Sequence, residues 1–436
     1  MTATINYEME SMFEKGRQHL LAATCALLFV WLWPYQALRD TFLVGEDQRM
    51  LTASIQISAW LIVGTCIVVG RGRRSKHSGF MAAMFLVFIS IWYVQFFLLG
   101  APLAADADNY AYAALSCIAP FVAGWYFPKA LLGLFCGWLG FLSVALTVVL
   151  TILNLTVYPV AQATRNWLFP SFNPINQAAV VAIGILALMY YRPPTVLSVR
   201  RLIVMLVCGA QLLLTASRGP IIGTAIAVII SEAMPAKTRR TRLKTLLALA
   251  CLLGAAFLFK DLLPDNVLTR VFDVDRSVNM RGDAGGASAR VGPIMEAIRL
   301  GTTKPIFGWG ESANPIVGYY CHNFFAQAFL ETGLIGLAAA LLLLIPGGIR
   351  LANGARQPKG DGRFIFAIFL LFLTVNQFAF TPVYALQLWF LLGLAAAQTL
   401  TSSARPKPGS ATGAPVRRAA PQALPVSSRR PAEQGV

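Results

Sequence analysis

The chain has 436 residues, 57% of them hydrophobic and only 13% charged, with a formal net charge of +17. A water-soluble chain has about a quarter of its residues charged, so this composition excludes an ordinary soluble assembly of two or three domains. The mean hydropathy of +0.63 agrees.

Crossing a hydrocarbon core takes about 20 apolar residues in a helix. In chain order the qualifying runs are Leu20–Leu38, Leu51–Gly70, Phe80–Gly100, Tyr110–Phe127, Leu131–Leu153 and Ile175–Tyr191, followed by Leu202–Ala216, Ile221–Ala233, Thr245–Phe259, Asn323–Ile345, Phe364–Phe380 and Tyr384–Thr399. The expected fold is an all-α polytopic membrane protein of about twelve transmembrane helices, with one long periplasmic loop containing short helices. No small-residue cleavage site follows the first run, so it is expected to stay as an anchor.

Lys and Arg set the orientation. With the N-terminus inside, the inner segments hold 25 of the 36 basic residues and the outer segments 11. Both termini are therefore expected in the cytoplasm. The positive charge falls on inner loops such as Arg71–Lys76 and Lys237–Arg242 and on the C-terminal tail, where it suits anionic lipid headgroups rather than nucleic acid. Six of the seven cysteines fall in apolar runs and Cys321 stands alone at an outer helix end, a pattern of packing residues with no disulfide pair. Residues 1–401 make the expected transmembrane domain. From Ser402 to Val436 the chain is rich in Pro, Ala, Ser and Arg without apolar periodicity, which predicts a disordered cytoplasmic tail.

One outer segment, Lys260 to Cys321, carries seven basic and seven acidic residues. Loops of that length are usually functional. Within it Val291, Ile294, Met295 and Ile298 recur at helical spacing, with Ser288 or Gly292 as caps, predicting a short amphipathic helix on the membrane surface.

Of the three histidines, His19 and His77 fall on the cytoplasmic side, leaving His322 as the outer imidazole, at the start of an entering helix. Such a residue either caps the helix or serves as a base, since the positive helix end disfavours imidazolium. Arg218 lies in the tight outer turn Ser217-Arg218-Gly219-Pro220. Pro220 suits the first position of the following helix, whose free N–H groups then join the guanidinium as an anion site. Arg290 stands in the long loop. Asp273-Val-Asp275 has a D-x-D spacing that can hold a metal, but Arg270 and Arg276 flank it and no metal-ligand cluster appears elsewhere. No metal and no cofactor is expected. Glu331 is a carboxylate inside an apolar helix, about half a turn round from His322, and is assigned a structural hydrogen-bonding role. Gly133/Gly137, Gly219/Gly223 and Gly333/Gly336 read as close helix-packing positions.

Taken together, Ser217-Arg218-Gly219, Arg290 with Pro305-Ile-Phe-Gly308-Trp-Gly310, and His322-Asn323 with Glu331-x-Gly333-x-x-Gly336 resemble the O-antigen ligase family of bacterial inner-membrane glycosyltransferases. O-antigen polymerases and protein O-oligosaccharyltransferases are its relatives. The motifs span residues 217 to 336 and occur in the family's order. The resemblance implies transfer of a glycan from an undecaprenyl-pyrophosphate-linked donor to a lipid A–core sugar hydroxyl on the periplasmic side. It makes His322 the base and makes Arg218 and Arg290 the ligands of the donor's pyrophosphate, with Ser217 and Asn323 beside them. The chain lacks room for the C-terminal part that protein-glycosylating relatives often carry, which favours the ligase. A transporter of a lipid-linked or anionic solute is the alternative from another class; it would show internal repeats and mid-membrane ionisable residues, and no repeat is visible.

The charge split yields a direct test of topology. A reporter fused at Gly286 should be active only as a periplasmic fusion; activity only as a cytoplasmic one would invert the whole reading.

Overall fold

The structure is a computed structural model. It describes residues 12, 14–30, 57, 60, 61, 63–65, 76–99, 114–156, 174–191, 199–215, 217–234, 287–310, 321–357, 360–378, 382 and 385–397. All of them belong to a unit spanning Met1–Leu400; a second unit, Thr401–Val436, which holds the expected tail, lies outside the described residues, as do the run Thr245–Phe259 and the Asp273/Asp275 pair.

Every regular element among the described residues is helical. The helices are α1 (14–30), α2 (Lys76–Leu99), α3 (Ala119–Tyr126, entered through a π-helical turn Ala114–Ile118), α4 (Leu132–Thr156) and α5 (Pro174–Tyr190). They continue as α6 (Val199–Leu214), α7 (Arg218–Ala233), α8 (Ala287–Thr303), α9 (Phe324–Ala355), α10 (Gly360–Val375) and α11 (Leu386–Ala397). Segments Lys129–Ile152 and Phe324–Ala355 are long and apolar enough to cross a membrane, and Gly79–Val94, Ile175–Tyr190 and Leu386–Ala397 are apolar but shorter. The outward faces support the same environment. Leu86, Phe141, Val149 and Ile152 are exposed over helices whose inner faces are equally apolar, and a helix apolar all round suits lipid better than water.

Two hubs organise the bundle. Helix α9 packs on α2, α8, α10 and α11, while α5 packs on α4, α6, α7 and α10, so α10 joins the two groups. Aromatic rings fill the middle. Phe85 stacks on Phe121 at 3.9 Å, and Phe29 meets Phe135, Phe372 and Phe390 edge-on at 5.6–6.0 Å. Offset and edge contacts of this kind hold rings together beyond the area they bury.

Small residues set the closest crossings. At the α3–α11 crossing a Cβ on Gly393 would strike the Phe121 carbonyl and approach the Trp125 nitrogen to 2.8 Å, and one on Gly124 would strike the Phe390 carbonyl. The expected packing role also fits Gly137, which faces the Tyr191 hydroxyl, and Gly219 and Gly223, which face Phe378 and Leu371 on the α10 side. At the opposite end of the bundle two arginines close helix ends. Arg201 donates to the carbonyls of Leu188 (2.6 Å) and Tyr191 (3.1 Å) at the end of α5, and Arg350 donates to Ala395 (3.1 Å) at the end of α11. Terminal carbonyls of a helix have no partner within it, so these side chains supply one.

The α3–α11 crossing should tolerate no added methyl. Gly393→Ala should lower stability by about 1–3 kcal/mol, as overpacked cores do, whereas Gly184→Ala, whose Cβ would meet nothing nearer than 3.5 Å, should be close to neutral. Thermal unfolding of the two purified variants would check the contrast.

Candidate functional site

The site is built on a break in α9. At Gly333 the backbone turns to φ 64°, ψ −163° inside an otherwise continuous helix. An unbroken helix would bond the N–H of Leu334 to the Leu330 carbonyl and that of Ile335 to Glu331. Here the segment Pro305–Gly310 takes all four groups. Leu334 and Ile335 donate to the carbonyls of Pro305 (2.7 Å) and Ile306 (3.3 Å), and Trp309 and Gly310 donate to the carbonyls of Leu330 (2.7 Å) and Glu331 (3.0 Å). The approach is backbone to backbone, so Gly333 (φ +64°) and Gly308 (φ +74°) meet where any Cβ would collide. Gly333 is thus more than the helix-packing glycine expected from spacing: it needs both the left-handed conformation and the absence of a side chain. The Trp309 indole closes the far side, donating to the Leu300 carbonyl (2.9 Å) and Thr303 Oγ1 (3.0 Å) at the end of α8, with Lys304 Nζ 3.7 Å from its ring centre.

His322 sits one residue before the N-cap of α9. The cap is Asn323, whose Oδ1 accepts from the N–H groups of Phe325 (3.1 Å) and Ala326 (3.0 Å). Of the two roles open to His322, capping therefore falls to its neighbour. His322 is exposed and holds φ 55°, a conformation uncommon for a residue with a Cβ. Its flanks are pinned on both sides. The buried Cys321 donates its N–H to Gln327 Oε1 (3.0 Å), and Phe324 donates its N–H to the carbonyl of Asn376 (3.1 Å) in the turn after α10. Glu331 accepts from Gln327 Nε2 (2.6 Å) and Trp92 Nε1 (3.1 Å), which matches the hydrogen-bonding role read from its position.

Arg218 occupies the first turn of α7, half-buried behind the buried N-cap residue Ser217, whose side chain makes no cap bond. The helix begins two residues earlier than its proline implied, so Pro220 is its third residue; a missing N–H is harmless there, because the first-turn donors have no helical partner. Gly219 lies against Phe378, a Cβ there reaching within 3.2 Å of that side chain. The turn Asn376–Phe378 thus touches both the start of α7, next to Arg218, and the start of α9, next to His322. Two helix N-termini meet at this turn, one of them carrying Arg218 in its first turn, and the positive end of a helix dipole favours an anion.

Arg290 lies in the first turn of α8. Two turns later Ala297 and Leu300 pack on Cys321, Ala326 and Leu330, which brings α8 alongside the residues next to His322. The apolar face expected from Val291, Met295 and Ile298 is exposed, while Ile294 turns toward α9. Arg299 is engaged within α8 by Glu296 at 2.5 Å. Among the described residues no group of His, Cys, Asp and Glu has a metal-binding arrangement. Sequence reasoning passed over Gln327, Asn376 and Trp92, and quoted Trp309 within a motif without assigning it a role; only their polarity inside apolar helices could have drawn attention to the first three.

The described residues define an all-helical bundle with helices able to span a membrane and polar residues gathered at the end where α7 and α9 begin. Residues 202–341 match the family model described as O-antigen ligase, about a third of the chain, and the segment holds every motif that carries the resemblance. Over that segment the chain is similar to the O-antigen ligase family. No curated protein is similar enough to count as a match.

Cys321 offers a check on the packing under His322. Burial raises its thiol to about 11, so it holds its proton throughout the neutral range and roughly one molecule in a thousand is thiolate at pH 8. Maleimide should label it slowly in the folded protein at pH 7–8 and faster toward pH 10; rapid labelling at pH 7 would mean that α8 does not cover this position.

Proposed function

We propose that the chain is a periplasmic-face glycosyltransferase of the bacterial inner membrane, with about twelve transmembrane helices and both termini cytoplasmic. It transfers O-antigen glycan from undecaprenyl pyrophosphate to a sugar hydroxyl of lipid A–core. Arg218 and Arg290 bind the pyrophosphate, with Ser217 and Asn323 at the edges of its pocket. His322 accepts the proton of the acceptor hydroxyl; the oxygen bonds to the anomeric carbon from the side opposite the phosphate, and the glycosyl–phosphate bond breaks. Undecaprenyl pyrophosphate leaves with the bonding electrons and the configuration inverts. A base is worth about 10²–10⁴-fold in such a step. The leaving charge is met by arginine and helix N-termini, which makes the reaction metal-independent.

The observation that supports this reading is the convergence of two helix starts, Ser217–Gly219 and Asn323–Phe324, both within the segment matching O-antigen ligase, on the turn Asn376–Phe378. A polymerase would use the same donor chemistry with a growing glycan as acceptor. A transporter fits less well, because Arg218 and His322 lie at helix starts at one end of the bundle rather than around a two-sided path.

Arginine makes two parallel charge-assisted bonds to phosphate where lysine makes one point contact, and such bonds are worth roughly 1.5–3 kcal/mol each. Arg218→Lys and Arg290→Lys should each lower ligation by more than about tenfold, equivalent to about 1.4 kcal/mol, while Arg281→Lys costs little. His322→Ala should abolish transfer by a folded, inserted protein. Ligation assayed with an undecaprenyl-linked donor decides: lysine variants near wild type, or equal sensitivity at Arg281, would overturn the two-arginine clamp.

A further inference from the structure

Resting on the reading of His322 as the base, we propose that Gln327 and Glu331 are positioning residues for it, acting through the backbone of Cys321 in a chain anchored on Trp92. Among the described residues His322 is the one non-glycine at positive φ. A strained backbone of this kind persists where its surroundings over-determine it. The surroundings here are specific. Cys321, Gln327 and Glu331 are all buried. The Cys321 N–H points at Gln327 Oε1 (3.0 Å), which fixes the orientation of that amide and turns Nε2 toward Glu331 Oε1 (2.6 Å). The other carboxylate oxygen takes the indole N–H of Trp92 on α2 (3.1 Å). Each link runs donor to acceptor, and the same residue, Glu331, gives its backbone carbonyl to Gly310 of the docked loop.

The chain therefore ties the conformation at His322 to two distant elements, α2 and the Pro305–Gly310 segment. It makes a distinctive demand on residue 331, which must offer acceptors to two donors at once. A carboxylate does so; a carboxamide has one acceptor oxygen and presents its NH2 to the second donor. Glutamine at 331 would face either Gln327 or Trp92 with donor against donor. Removing the indole N–H removes the conflict, and glutamine can then turn its oxygen to Gln327. A residue that merely fills space would show no such pairing.

The test uses the full chain in nanodiscs, with undecaprenyl-pyrophosphate-linked glycan as donor and lipid A–core as acceptor. Gln327→Leu and Glu331→Gln should lower kcat at least tenfold with the donor KM within about threefold of wild type, because the pyrophosphate ligands are untouched. Trp92→Phe should cost less, and the double variant Glu331→Gln with Trp92→Phe should return to within about threefold of Trp92→Phe alone. The proposal is overturned if His322→Ala is inactive while Gln327→Leu keeps wild-type kcat, or if the double variant is no better than Glu331→Gln. Activity in His322→Ala would instead remove the base reading on which the proposal rests. If Gln327→Leu does not fold, the two glutamine-331 variants decide alone.

Discussion

Two missing hydrogen bonds in α9 govern the arrangement of the end of the bundle where α7 and α9 begin. A helix interrupted inside an apolar bundle exposes two carbonyls and two N–H groups, and each costs several kcal/mol if left without a partner in lipid. The segment Pro305–Gly310 supplies all four partners. Once that pairing is made, much else is fixed. Trp309 is carried against the end of α8, and α8 is laid along the first turns of α9, over Cys321. The segment that follows the amphipathic helix α8 is in this sense part of the helix it docks into.

A second consequence is electrostatic. Helices α7 and α9 both begin at this end, whereas α10 ends there, so the turn Asn376–Phe378 gathers two positive helix termini around one C-terminal turn. The Asn376 carbonyl is already committed to the Phe324 N–H, which removes some of the negative potential that a helix end would otherwise add. With the first N–H groups of α9 held by Asn376 and Asn323, what that helix offers its surroundings is the field of a fixed dipole, which needs no reorganisation to act on a nearby charge.

Much of this was legible in the residues. Apolar runs located the helices from Phe80 onward that the structure describes, except α8, which amphipathic spacing in the long loop predicted; position alone drew attention to His322 and Arg218, while Arg290 was singled out through the family resemblance. What escaped was relational. The glycines at 308 and 333 were visible as motifs, yet nothing in either spacing says that one backbone pairs with the other across 25 positions of chain. Spacing also made Gly333 look like a packing glycine, because both uses select for the absence of a side chain; only φ separates them. The apolar run over α9 was read as Asn323–Ile345, but the helix continues to Ala355. Arg350 stays there by reaching the carbonyls at the end of α11. Capping shifted by one residue, from His322 to Asn323, because a histidine at a helix start looks much like a cap until the asparagine's two accepted bonds are seen.

Arg201 and Arg350 show how two demands on one residue can become inseparable. Both belong to the basic segments that bias which way a nascent chain threads into the bilayer, a signal that depends only on charge and is indifferent to its exact neighbours. In the finished bundle the same guanidiniums are consumed as donors to helix-end carbonyls, a task that depends on geometry and that a lysine with its single point charge performs less completely. Biogenesis and final architecture thus read the same side chains in different languages. An experiment that moves these charges to reverse the threading of the chain also uncaps α5 and α11, so a mis-threaded product and an unravelled helix end would arrive together.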